Sequence, residues 1–117
     1  MARYEHLPIY AKAYELALLV ERQVQGFGRY HKYALGADLR ALCRRMLRQV
    51  IRANNAAAQR EVELQGLRVS VEEFLVMTRL ARDVQAFPTL KAYEQCANLA
   101  LSVSRQTEGW LGKTKTG

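Results

Sequence analysis

The stretch ALGADLRALCRRMLRQVIRANN, Ala34 to Asn55, decides the fold. Leu35, Leu39, Leu42, Met46, Val50 and Ala53 recur at steps of three and four and share one face, the pattern of an amphipathic helix with a buried stripe. Asp38 lies near the positive end of the helix dipole, and Asn54 and Asn55 suit a C-terminal stop. The other side carries Arg40, Arg44, Arg45, Arg48 and Arg52. At 100° per residue Arg45, Arg48 and Arg52 share a stripe that Arg40 and Arg44 flank, so the guanidiniums occupy one broad face.

Three more segments share this spacing. Upstream, Pro8 suits a first helical position, where its missing N–H is no loss, and Ile9, Ala13, Leu16, Val20 and Val24 form the apolar line. Gly26 and Gly28 release that helix, and GFGRYHKYALG, residues 26–36, forms the corner, with Gly36 letting the second helix start against a close neighbour. Downstream, Leu64, Leu67, Val71, Phe74, Thr78 and Ala81 predict a third helix starting near Glu61 and tolerating Gly66. A rival start is the capping box Ser70-Val71-Glu72-Glu73. Phe87-Pro88 ends the third helix, because the residue before proline is biased away from helical angles. Thr89 caps a fourth, with Leu90, Tyr93, Cys96, Ala97, Ala100 and Val103 leading to Trp110, and residues 112–117 read as a frayed basic tail. No sustained alternation and no Asn-Gly or Asp-Gly turn predicts a hairpin. Short connections make consecutive helices antiparallel, giving an all-α, up-down-up-down four-helix bundle as one domain over residues 1–117.

The 117 residues carry 18 Lys and Arg against 11 Asp and Glu, a net +7. Residues 1–56 hold +6 of it and residues 57–117 only +1. Such a field attracts polyanions: nucleic acid, acidic protein or anionic lipid. Cys43 and Cys96 lie far apart within helical patterns and read as buried free thiols of a reducing cytosol. Glu5, Pro8, Lys12 and Glu15 interrupt any apolar signal region, and no apolar run reaches the ~20 residues of a membrane span, so a soluble, cytoplasmic chain is expected.

The residues argue against an enzyme. His6 and His31 lack the Glu-x-x-His spacing of a bundle metal site, and a solvent-facing or locally bonded imidazole is the plain reading of each. No Ser or Cys occupies a nucleophile elbow, and Gly26-x-Gly28 follows a helix where a dinucleotide fingerprint needs a strand. No cofactor, catalytic residue or metal is expected. The arginine face differs from an ordinary solvated face, which mixes signs to form i,i+4 pairs. Only Asp38 offsets it locally, so a polyanionic or acidic partner is expected, or a carboxylate row from another helix or subunit. Arginine suits bidentate contacts to phosphate or carboxylate. In the corner, Arg29, Lys32, Tyr30 and Tyr33 could meet exposed bases, although Tyr33 and Phe27 fit better as lids over a helix junction. In the third helix Arg79 and Arg82 lie one turn apart, with Asp83 placed to pair with Arg79, and Glu21 lies beside Arg22 in the first.

Tyr33-x-Leu35-Gly36-x-x-Leu39-Arg40, following Phe27-x-Arg29, resembles a family of small four-helix-bundle proteins. The family includes the accessory variability determinant (Avd) proteins of diversity-generating retroelements and the bundle proteins encoded in ribosomal RNA intervening sequences. Leu7-Pro8-Ile9-Tyr10, Arg52-Ala53-Asn54-Asn55, Thr78-Arg79-Leu80-Ala81 and Glu108-Gly109-Trp110-Leu111 extend the likeness over nearly the whole chain, closer to the Avd branch. Gly28 departs from it, since the family often has proline after the phenylalanine. The resemblance implies a homopentameric barrel of bundles that binds the retroelement reverse transcriptase and its template RNA. That assembly supports synthesis of mutagenised cDNA and has no catalytic activity of its own. By the same resemblance Arg79 matches a basic position of the family's binding surface, which the second-helix arginines would widen; Arg82, one turn on, is a further candidate for contact with nucleic acid or polymerase.

Overall fold

Pro8 opens the first long helix, α1 (Pro8–Gln25), behind a single 3-10 turn at Arg3–His6 in a computed structural model that describes residues 3–116. A one-turn helix, α2 (Arg29–Lys32), fills the corner. The long helices α3 (Leu35–Asn55), α4 (Arg60–Asp83) and α5 (Leu90–Thr116) follow, with a 3-10 turn at Ala57–Gln59 between α3 and α4. Among the described residues there is no strand.

Each long helix packs on two others, α1 and α4 both lying against α3 and α5, so the four surround one core. Side-chain contacts show antiparallel neighbours. Arg60 bonds to the carbonyl of Ala53 while Arg45 reaches Glu73, and Arg82 lies over Tyr93 while Arg68 reaches Glu108. The apolar stripes read from the sequence become the core: Leu16, Val20, Leu39, Met46, Val50, Leu64, Leu67, Val71, Phe74 and Val103 are buried. Burying each such side chain contributes about 1.5–3 kcal/mol, which drives the association of helices whose isolated stability is marginal.

The ends show where local chemistry wins. Ser70 does not cap a helix. It lies buried inside α4, on the same stripe as Leu67 and Phe74, and its hydroxyl has no hydrogen-bond partner. Burial of the stripe thus overrides the capping signal, and α4 runs on through Gly66, where a Cβ would stand 3.0 Å from Nε2 of Gln49. α4 stops at Asp83, short of Phe87-Pro88. Gln85 takes a left-handed conformation (φ 61°), its N–H donates to the Arg82 carbonyl and the N–H of Ala86 donates to that of Ala81. These are the two bonds of a Schellman cap, formed with glutamine where glycine is usual. Thr89 caps α5 as expected, its Oγ1 accepting the N–H of Ala92 at 3.1 Å. The frayed tail expected from Gly112 is instead the last turns of α5, where Thr114 donates to the Trp110 carbonyl at 3.0 Å; Gly117 lies outside the described residues.

At the corner, Gly26 (φ −88°) and Gly28 (φ −61°) keep angles open to any residue, so α1 does not end through glycine's special freedom. Gly36 is different: a Cβ there would stand 2.6 Å from Cγ1 of Val24. The glycine lets α3 start against α1. Phe27 is a lid, buried and edge-on to Phe87 with centroids 5.1 Å apart. Tyr33, expected to act likewise, is 75% exposed.

Candidate nucleic-acid interface

Arg40, Arg44, Arg48 and Arg52 are spaced by four along α3, about 18 Å of helix at 1.5 Å per residue, on the side opposite Leu39, Cys43, Met46 and Val50. Arg45 flanks this line toward α4. The five guanidiniums are not equivalent. Arg40 Nε donates to both oxygens of Glu21 on α1, at 2.9 and 3.1 Å, and Arg44 reaches the same carboxylate at 3.3 Å. Arg45 pairs with Glu73 on α4 at 3.5 Å. Among the described residues Arg48 and Arg52 form no ion pair.

The charge balance is therefore more mixed than Asp38 alone suggests. Two carboxylates from flanking helices answer the N-terminal part of the face, and its C-terminal end, Arg48 and Arg52, remains cationic. Glu21 turns to α3 in preference to its neighbour Arg22 because i and i+1 side chains diverge on a helix. The Arg45–Glu73 pair is exposed, each side chain at 49%, whereas the Arg40–Glu21 pair is half-buried. An exposed pair contributes about 0–1 kcal/mol. Arg48 and Arg52 carry their charge with no carboxylate beside it among the described residues.

The corner continues the face. Lys32 and Tyr33 line a cavity of about 210 Å³ together with Arg40, Glu21, Val24 and Gln25. Arg29 and Lys32 form no ion pair among the described residues.

The α4 arginines lie elsewhere. Arg79 sits within 20° of Arg68 on the helical wheel, and Arg68 faces α5 through Glu108 at 2.6 Å. That edge is across α4 from Glu73, which faces α3. Arg79 is exposed there and forms no ion pair among the described residues. Asp83, expected as its partner, is taken by Arg82 at 2.9 Å. Arg82 also lies over the Tyr93 ring, 4.9 Å from its centroid, so its charge is already engaged on both sides. The structure thus aligns Arg40, Arg44, Arg48 and Arg52 with Arg45 beside them and Lys32 at their start, leaves Arg29 on the corner turn, and places Arg79 and Arg82 on the α5 side of α4.

A comparison with protein-family models gives no match, and no curated protein matches the chain.

Other chemistry is sparse. Cys43 and Cys96 are free and buried, and burial pushes both thiols up, Cys96 to about 12, so neither is a thiolate near neutral pH. His31 meets Tyr30 edge-on at 5.0 Å, and His6 is exposed. Among the described residues no three His, Cys, Asp or Glu side chains converge as metal ligands, and no helix is long and apolar enough to cross a membrane. An exposed apolar line along α4, Val62, Val69, Val76, Leu80 and Val84, was not singled out from the sequence. Its spacing of seven, seven, four and four residues is the signal that could have found it.

Proposed function

We propose that this chain is a non-enzymatic accessory protein that binds nucleic acid through the outward face of α3. In keeping with its resemblance to the Avd branch, its place is beside the reverse transcriptase of a diversity-generating retroelement, as a cytoplasmic homopentamer holding template RNA or its cDNA. The observation that carries the nucleic-acid assignment is the pair Arg48 and Arg52, which form no ion pair among the described residues and stand at the C-terminal end of a face whose other arginines are paired with carboxylates of α1 and α4. Arginine offers planar bidentate donors that match a phosphate.

The test is RNA affinity of the full chain across a salt series, by fluorescence anisotropy. Affinity is expected to fall linearly in a log–log plot, and Arg48→Gln/Arg52→Gln should reduce the slope by about 1.4, the value for two single-strand phosphates. Absent or salt-insensitive binding would overturn the assignment.

The exposed line on α4 favours a second reading, a protein-interaction bundle of the intervening-sequence type without a polymerase partner. Light scattering separates the two: five copies with RNA binding support the first, a monomer or dimer without it the second.

A further inference from the structure

The corner holds three aromatic rings with two fates. Phe27 is 4% exposed, packed on Phe87, whereas Tyr30 is 88% and Tyr33 75% exposed. Large rings usually supply buried area, and a pair left in water within one turn is uncommon unless something covers it. Tyr33 is the C-cap of the one-turn helix that holds Tyr30, three residues on, which brings the two rings to neighbouring positions around the turn. At 100° per residue Arg29 lies about 40° from Tyr33, between Tyr33 and Lys32.

The turn is held in place. The N–H groups of His31 and Lys32 both donate to the Gly28 carbonyl, at 3.0 and 2.9 Å, and Ala34 donates to His31 at 3.2 Å. His31 meets Tyr30 at 87°, an edge-on contact that steadies the ring and leaves at least one of its faces uncovered by the imidazole. Lys32 and Tyr33 share a cavity with Arg40, so the turn adjoins the first arginine of the α3 line.

Flat rings beside free cations match a single strand, which offers bases and phosphates together. We propose, resting on the nucleic-acid assignment above, that this corner selects unpaired RNA. Tyr30 and Tyr33 stack on neighbouring bases, Arg29 and Lys32 contact the phosphates between them, and the backbone continues along α3 to Arg48 and Arg52. A duplex cannot satisfy the tyrosines, because its bases are stacked on one another and the A-form major groove is too deep and narrow for side chains. Every base has a π-face, so the ring pair selects the unpaired state and not a sequence.

The test compares a short uridine-rich RNA without secondary structure and an RNA hairpin duplex, each titrated with the full chain over a salt series. Tyr30→Ala/Tyr33→Ala is expected to bind the single strand at least about 30-fold more weakly, the lower end of the range for two stacked bases, with duplex affinity unchanged. Its salt slope should match the native one, since tyrosines neutralise no phosphate. Tyr30→Phe/Tyr33→Phe, which keeps the rings, should bind as the native chain does. Unchanged single-strand affinity in the alanine variant, or equal loss on both RNAs, would overturn the role of the tyrosines; if Arg48→Gln/Arg52→Gln still lowered the slope, the arginine face would stand without it. Absence of RNA binding by the native chain would overturn both. Loss of helical circular dichroism in the alanine variant, or loss of self-association with RNA binding intact, would assign the rings to the fold or to a protein interface and overturn the proposal.

Discussion

Gly36→Ala tests the packing that positions the corner. The added Cβ would stand 2.6 Å from Val24 Cγ1, where carbon atoms pack best at about 3.5–4.0 Å, so roughly 1 Å of overlap must be relieved. Val24 is 4% exposed and β-branched within a helix, which leaves its side chain one strongly preferred rotamer. The helices must separate or the valine must strain, at about 1–3 kcal/mol. Alanine regains up to about 1 kcal/mol of helix propensity, less in a first turn, so the net loss is expected near 1–2 kcal/mol. That lowers Tm by roughly 4–10 °C for a domain of this size. The assay is urea unfolding followed by far-UV circular dichroism, extended to a cycle with Val24→Ala. The valine change alone leaves a small cavity, costing about 2 kcal/mol. Together the two changes should cost less than their sum by about 1–2 kcal/mol, because the new methyl occupies the vacated space. A Gly36→Ala chain as stable as the native one, or a cycle additive within about 0.5 kcal/mol, would refute the close approach as the reason for this glycine.

Gln85→Gly should raise stability by about 0.5–1 kcal/mol, because the left-handed conformation costs a non-glycine residue about 1–2 kcal/mol and glycine returns part of this as unfolded-state entropy; thermal unfolding checks it. The Arg68 hydrogen bond holds the Glu108 carboxyl below its ordinary value, so its stabilisation is present above the unfolded value near pH 4.3 and is lost as pH falls through the lower folded value. Glu108→Gln should therefore lower Tm slightly at pH 7 and not at all near pH 2, the effect being small for so exposed a pair.

The long helices were legible because their signals are local. Pro8, the apolar stripes and Thr89 act within a few residues of themselves, and α1 and the start of α5 follow from them. What escaped the sequence depends on partners elsewhere or on an unusual residue in a usual role. The end of α4 is a Schellman cap without its glycine, so the nearest legible stop was Pro88. Ser70 and Glu73 have the spacing of a cap, yet the stripe that contains Ser70 belongs to the core. Within the site, the composition of α3 exposed the arginines but not that Glu21 and Glu73 answer three of them, since those carboxylates arrive from other helices. Tyr33 looked like a lid because rings beside glycines commonly are. Only the placement of Phe27 shows that the lid was already filled.

The division of labour in the corner has a consequence for variation. Phe27 and Gly36 carry the packing, while the side chains at positions 30 and 33 are mostly in water. Residues at the two exposed positions can be exchanged without disturbing the anchors, so this segment can change what it prefers to touch while foldability stays with other residues. Drift at these positions would alter the surface the corner offers while remaining nearly invisible to selection for folding.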